Sequence, residues 1–401
     1  MSTQARASLE QMRSLAGATI LQLTPANENT ARNALMIASL LRRSGARAII
    51  AGRDGKFADE YRLAGGEWLT LDHDSVNPFK LRSNAGRLEK IISRERVDIV
   101  HAYSASAAWS ALAATEKLPV WLVTNLPETA PSPRSLRALY QTSLARGDHV
   151  IVHSSFTAAP MIERFDIPRE RVTVVPNPID AQLFDPASMR PERVLGLRKA
   201  WKIPEGDRII LVPGPIAASA GQSVLADAVR LIPVDLLRGI TFVLLGDTRV
   251  GGKYVRALTK RIDAHGLAAK FRLPGRCPDW PAALAASDIV VMPVIEPQVF
   301  GRPIPESQAM ARPVIASAIG ILPENILAPP RMPDELRTGW LVRPGDPGAL
   351  AAALRESLSL DLAAYRALAA RARQFAEFMF SPQNVATSVL AIYSALLSGQ
   401  R

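Results

Sequence analysis

Residues 18–52 read ATILQLTPANENTARNALMIASLLRRSGARAIIAG, and this stretch decides the fold. Residues 18–23 are a short, almost wholly apolar run, the pattern of a strand buried on both faces. Residues 30–45 then place Ala34, Ile37, Leu40 and Leu41 on one face of a helix, with Gly45 just past its end. Residues 46–52 return to a strand pattern. Strand, helix and strand at this spacing make a right-handed crossover between parallel strands. The basic residues ahead of residue 18 give the N-terminus the outline of a secretory leader. The crossover that follows assigns residues 18–23 instead to a first buried strand.

The same alternation runs outward. Helical patterns at 57–66 and 78–96 alternate with strand patterns at 67–72 and 97–103, and further strands follow at 119–125, 149–154 and 172–178. Residues 181–206 are proline-rich, lack a strand and read as a domain connection. A second set opens with strands at 208–214, 241–247, 270–275, 288–294 and 313–317, separated by helices, and the chain is helical from Pro347 onward. The expected fold class is therefore α/β, with two doubly wound, Rossmann-like parallel-sheet domains. The expected domains are residues 1–180 and 207–379, with a terminal helix at about 380–401 packing back on the first.

A chain of 401 residues suits two domains, and its composition, 48% hydrophobic, is globular throughout. The single cysteine, Cys277, excludes an intrachain disulfide framework and fits a reducing compartment. No stretch approaches the roughly 20 apolar residues of a membrane helix. The formal charge of +11 favours phosphates and anionic membrane faces as partners. Scattered basic residues and 6% aromatics argue against nucleic acid.

In doubly wound sheets, ligands bind beyond the carboxyl ends of the strands. The loop residues there are the candidates. Glu296, Gln298, Phe300, Gly301, Arg302 and Glu306 lie between the strand at 288–294 and the helix after it. A helix start offers free N–H groups to an anion, Gly301 permits close approach of a phosphate, and Glu306 either complements the helix dipole or accepts from a ribose diol. Gly214, then Gly246 and Asp247, then Gly275, Arg276 and Cys277 follow three other strands.

The string FGRPIPESQAMARPVIAS at 300–317 resembles the large retaining glycosyltransferase family four, in its glycogen-synthase-like, bacterial surface-polysaccharide branch. VDIVHA, RVTVVPNPIDAQLFDP, FVLLGD, RLPG and TGWLVRPGDPGALAAAL match that family in order. The resemblance implies the GT-B fold, with two domains facing a central cleft. It implies transfer of a sugar from a nucleoside-diphosphate donor to a glycan or lipid-linked acceptor, with retention. The nucleotide sugar is a co-substrate, and no cofactor or metal is implied. Work in the cytoplasm, peripheral to the inner membrane face, is the corresponding location. Glu306 would hold the ribose, Gln298 or Glu296 would meet the sugar, and Gly214, Gly246, Asp247, the 275–277 loop and residues 300–302 would line the nucleotide pocket.

The sequence departs from the family at four places. The two family glutamates have seven residues between them, but the position so counted back from Glu306 is Gln298, with Glu296 two residues earlier. The family's arginine after the first glycine of 214–221 is Pro215, and its lysine before the second is Ala220. The Gly-Gly loop after the first strand is residues 25–29, PANEN, and the histidine-glycine-glycine after PVIAS is residues 318–320, AIG. Losing one charge-stabilising donor commonly costs about 10²–10³ in rate. A catalytically impaired relative, acting as a binding or regulatory partner, is therefore the alternative, with Lys202 or Arg302 as candidate replacement cations. Asp72, His73 and Asp74 have the spacing of a metal-binding carboxylate pair but read better as a polar turn. His101 either lines the cleft or is a satisfied core histidine.

Overall fold

The computed structural model describes residues 15–25, 28–75, 77–126, 142–249, 251–299 and 301–399. Two compact units result: unit 1 comprises residues 1–178 and 382–401, and unit 2 residues 179–381.

Unit 1 is built on a seven-stranded sheet, β1 (Thr19–Leu23), β2 (Arg47–Gly52), β3 (Glu67–Thr70), β4 (Ile99–Ala102), β5 (Trp121–Asn125), β6 (His149–Val152) and β7 (Val172–Val174). Its order is β3-β2-β1-β4-β5-β6-β7, and every pairing is parallel. Unit 2 repeats the plan with β8 (Arg208–Pro213), β9 (Ile240–Leu245), β10 (Phe271–Gly275), β11 (Ile289–Met292), β12 (Val314–Ser317) and β13 (Gly339–Val342), in the order β10-β9-β8-β11-β12-β13. The reversal of order falls between β1 and β4 in unit 1 and between β8 and β11 in unit 2. Helices cover both faces, so central strands such as β1 and β9 are buried at every residue.

The two units use one device at this reversal. Asp98, just before β4, accepts from the Thr19 N–H that opens β1, at 2.7 Å. Asp288, just before β11, accepts from the Ile209 N–H in β8, at 2.8 Å. Each carboxylate satisfies an amide that the ladder leaves unpaired and pins the register of the central strand pair.

Helix boundaries follow local chemistry. Ser104, Ser154, Asp279, Asp346 and Asp361 cap helix starts by accepting from the N–H three residues on. The proline-rich segment 181–206 carries a helix, Pro191–Ala200, within unit 2. The last helix, Pro382–Ser398, lies on helix Glu28–Arg43 of unit 1 and sinks Val385, Val389, Leu390 and Tyr393 into one apolar cluster with Ile20, Ile37 and Leu41. Burying each such side chain contributes about 1.5–3 kcal/mol.

Candidate active site in the second unit

A cavity of about 700 Å³ opens in unit 2 at the carboxyl ends of β8, β9 and β10. Its walls come from Pro213 at the end of β8 and residues 214–218 after it, Leu245 at the end of β9 with Gly246 and Asp247 after it, and Arg276, Cys277 and Trp280 after β10, with Gly251, Tyr254 and Pro303 completing it. The strand-end loops are bound side by side. Gly214 N–H donates to Leu245 O at 3.0 Å, and Gly246 N–H to Gly275 O at 3.1 Å. A Cβ on Gly246 would stand 2.0 Å from the Gly214 carbonyl oxygen, so only glycine lets these two loops approach.

Behind the β8 loop is a buried polar network. The fully buried Gln222 donates from Nε2 to Pro215 O at 2.8 Å, and its Oε1 accepts from the Tyr254 hydroxyl at 3.2 Å. That hydroxyl in turn accepts from Ser223 N–H. The network fixes the loop on which Pro215 stands.

The five sequence candidates Gly214, Gly246, Asp247, Arg276 and Cys277 meet in the cavity wall, and Gly275 adjoins them. Asp247 organises the cations. Its Oδ1 accepts from the Arg249 N–H at 3.0 Å and Arg249 Nε at 3.2 Å, and its Oδ2 lies 2.9 Å from Arg276 Nε. The hydrogen bonds from Arg249, helped by the charge of Arg276, hold the Asp247 carboxyl at about 2. Cys277 is half-buried, its Sγ hydrogen donates to Asp279 O, and burial pushes the thiol upward, as for a packing residue.

Glu306 is 6% exposed on helix Pro303–Ala309. Its Oε2 accepts from the Trp280 indole N–H at 2.7 Å, and its Oε1 meets Arg302 Nε at 3.2 Å. Burial raises its pKa, against the opposing pull of Trp280 and Arg302. Trp280 thus joins the cavity wall to the acid.

The helix start beside Glu306 differs from the expectation of free amides. Pro303 and Pro305 have no N–H, Ile304 N–H donates to Gly301 O, and Glu306 N–H donates to Arg302 O. Gly301 has a packing reason of its own, because a Cβ there would lie 2.6 Å from Asn325 Nδ2. Glu296 is exposed and Gln298 partly so, in the loop after β11. The Gln298 carbonyl accepts from Ile321 N–H at 3.0 Å, its side chain reaches back to Glu296 O at 3.4 Å, and neither residue lines the cavity. Phe300 lies outside the described residues. Lys202 does not line the cavity, and its carbonyl accepts from Arg272.

Residues that sequence reasoning passed over support this wall from behind. Arg193, on helix Pro191–Ala200, forks onto Asp279 with Nε–Oδ2 at 2.9 Å and Nη2–Oδ1 at 2.6 Å. Asp279 caps the helix that starts at Trp280 and is held below the usual carboxylate range chiefly by Arg193. The aspartate-tryptophan pair after RLPG, and Pro191 with Glu192 at a helix start, were the local signals available.

In unit 1, His101 at the end of β4 is fully buried. Its Nε2 meets Asn125 Oδ1 at 2.7 Å, so Nε2 carries the proton and Nδ1 accepts from the Tyr393 hydroxyl at 2.6 Å. Tyr103 stacks on the ring at 4.1 Å. Burial depresses His101 to about 4, leaving it neutral. Asp72 pairs with Arg53, and His73 is buried against Ala51 O. Among the described residues no group of three or more His, Cys, Asp or Glu side chains is placed to hold a metal. Pro25, in the loop after the first strand, is half-buried, whereas residues 26–27 of that loop lie outside the described residues.

Comparison with known proteins gives the family. A profile described as Glycosyl transferases group 1 matches residues 196–375, and one described as Glycosyltransferase Family 4 matches residues 30–183. The D-inositol 3-phosphate glycosyltransferase of Salinispora tropica is 28% identical over 278 residues, which is 68% of this chain and 56% of that relative. The chain thus spans little more than half the length of such relatives. The crystal structure of a glycosyltransferase from Rickettsia africae superposes with a TM-score of 0.72 at 27% identity, covering 96% of this chain and 99% of that one. Anabaena Alr3699/HepE in complex with UDP shares the fold, with a TM-score of 0.68 at 20% identity over 94% of this chain and 100% of that one. With one glycosyltransferase profile on each unit and the GT-B arrangement of parallel sheets, the chain belongs to the group 1, family 4-like glycosyltransferases of GT-B fold.

Proposed function

We propose that the protein transfers a sugar from a nucleoside-diphosphate donor to a glycan or lipid-linked acceptor, with retention at the anomeric carbon. The observation that carries this reading is the unit 2 cavity, with strand-end glycines, Arg276 on Asp247, and Trp280 leading to Glu306. A volume of about 700 Å³ suits a nucleotide sugar. Glu306 holds the ribose, each carboxylate oxygen keeping a lone pair beyond its protein partner. The loops at 275–277 and 214–218 take base and phosphates, and unit 1 takes the acceptor. The relatives' printed name, D-inositol 3-phosphate glycosyltransferase, supports a phosphorylated polyol as the acceptor chemistry. No helix among the described residues is long and apolar enough to cross a membrane. The +11 charge supports peripheral work at an anionic inner membrane face, on the cytoplasmic side.

The test is incubation of purified protein with UDP-, GDP- and ADP-sugars, reading nucleotide release and the anomeric configuration of any product. Turnover abolished by Glu306→Ala supports the proposal. Absence of binding to every donor sinks it.

A second reading keeps the fold without the chemistry. Pro215 and Ala220 at the family's cation positions, Gln298 at its glutamate position, and the occupied helix-start amides favour it. Nucleotide binding without turnover on any donor and acceptor would select this reading.

A further inference from the structure

We infer that Arg276, seated on Asp247, supplies the positive charge that meets the diphosphate of the bound nucleotide, in place of the family cations absent at Pro215 and Ala220. This rests on the reading of the unit 2 cavity as a nucleotide site.

Three observations carry it. The first is charge. Asp247 is shared by two guanidinium groups, Arg249 and Arg276, so two positive charges face one negative and the cluster keeps one net positive charge. The neighbouring pair Arg302–Glu306 is neutral as a unit. Around the cavity, the Asp247 cluster is thus the place where an anion finds an uncompensated cation.

The second is redundancy. Asp247 already accepts from the Arg249 backbone N–H, from Arg249 Nε, and at 3.3 Å from its Nη2. It does not need Arg276 to be satisfied. Arg276 meets it as an ion pair and, among the described residues, makes no hydrogen bond to protein. Its side chain is 73% exposed, and an ion pair so exposed contributes about 0–1 kcal/mol. Stability gives little reason for an arginine here. A planar fork of free N–H groups at a cavity mouth matches phosphate oxygens, which it can engage bidentately.

The third is position. Gly214 is bonded to the end of β9, and Gly246 to Gly275 at the end of β10. Pro215 and Arg276 therefore start about two strand spacings apart, about 10 Å, with the cavity between them. Across that gap the N–H groups of Ile216, Ala217, Ala218 and Ser219 have no protein acceptor among the described residues. A diphosphate laid over these amides has its outer oxygens turned toward Arg276.

The experiment is calorimetry on the full chain with UDP, GDP and ADP and with uridine, guanosine and adenosine, comparing wild type, Arg276→Gln and Arg276→Lys. For the diphosphate that wild type binds, Arg276→Gln should weaken affinity about ten- to hundredfold, the range of one charged hydrogen-bond partner. The matching nucleoside should change less than about twofold, Arg276→Lys should retain part of the affinity, and the wild-type preference for diphosphate over nucleoside should shrink with salt. Unchanged thermal unfolding of Arg276→Gln checks the fold. If that variant keeps diphosphate affinity within twofold, or loses nucleoside affinity equally, Arg276 is not the phosphate cation, although the nucleotide reading stands. If wild type binds none of the six ligands, the nucleotide reading falls and takes this inference with it.

Discussion

The indole N–H of Trp280 donates to Oε2 of Glu306 at 2.7 Å. The tryptophan opens the helix after β10 and lines the cavity, and the acid lies in the first turn of the helix after β11, so this bond ties the cavity wall to that helix. It also sets a hydrogen-bond donor on a carboxyl whose pKa burial raises and Trp280 pulls down.

Trp280→Phe keeps the ring and removes the donor. The Glu306 pKa, relieved of its main lowering partner, then rises further. Nucleoside-diphosphate affinity is expected to fall about tenfold at neutral pH, the worth of one charged hydrogen bond. The loss of binding on acidification should begin at a higher pH than in wild type. Calorimetric titrations across pH 5 to 8 read both effects, and an unchanged pH profile would contradict them.

Glu306→Gln separates binding from stability. A carboxyl whose pKa is raised by folding costs stability where it is ionised, above its folded pKa, and the cost disappears below the pKa of the unfolded chain. The glutamine variant should therefore gain stability relative to wild type as pH rises through the raised Glu306 value, while nucleotide affinity drops. Urea unfolding at several pH values checks the sign.

The strand-end glycines give a contrast. Gly246→Ala forces a Cβ against the Gly214 carbonyl oxygen at 2.0 Å, a backbone clash that cannot be relieved by a rotamer. Gly301→Ala meets the end of the Asn325 side chain at 2.6 Å, together with Ile321, and a side chain can turn away. The first is expected to cost more than about 3 kcal/mol and abolish nucleotide binding, the second about 1–2 kcal/mol. Equal costs in denaturant unfolding would argue against this account of the loops.

In unit 1, Tyr393→Phe leaves the buried His101 Nδ1 without a donor and should destabilise by about 1–3 kcal/mol. His101 sets an acid dependence as well. Its folded pKa of about 4 lies below the ordinary 6.5, so the unfolded chain binds the extra proton between those values. The contribution of His101 is full above pH 6.5 and falls by about 3 kcal/mol toward pH 4. His73, His149 and His153, also lowered by burial, add in the same direction. His101→Asn should flatten the slope of stability against pH whatever its effect at neutrality.

The alternation of short apolar runs with amphipathic segments determined two parallel sheets and placed Gly214, Gly246, Asp247 and Arg276 at strand ends, because hydrophobic period and strand-end chemistry are local properties of the chain. Helix Pro191–Ala200 was legible in the same terms, in Pro191, Glu192 and the basic Arg198 and Lys199 of its last turn, but the surrounding prolines read as a connection. What only the tertiary structure decided is which side chains meet: Trp280 with Glu306, Arg193 with Asp279, Arg249 and Arg276 on one carboxylate, and Tyr393 with a histidine nearly three hundred residues earlier. It also decided that the amides beside Glu306 are already spent on Gly301 and Arg302. Those pairings depend on loop conformations and on the stacking of helices over sheets. They are set by packing between distant segments, and periodicity along the chain carries no record of them.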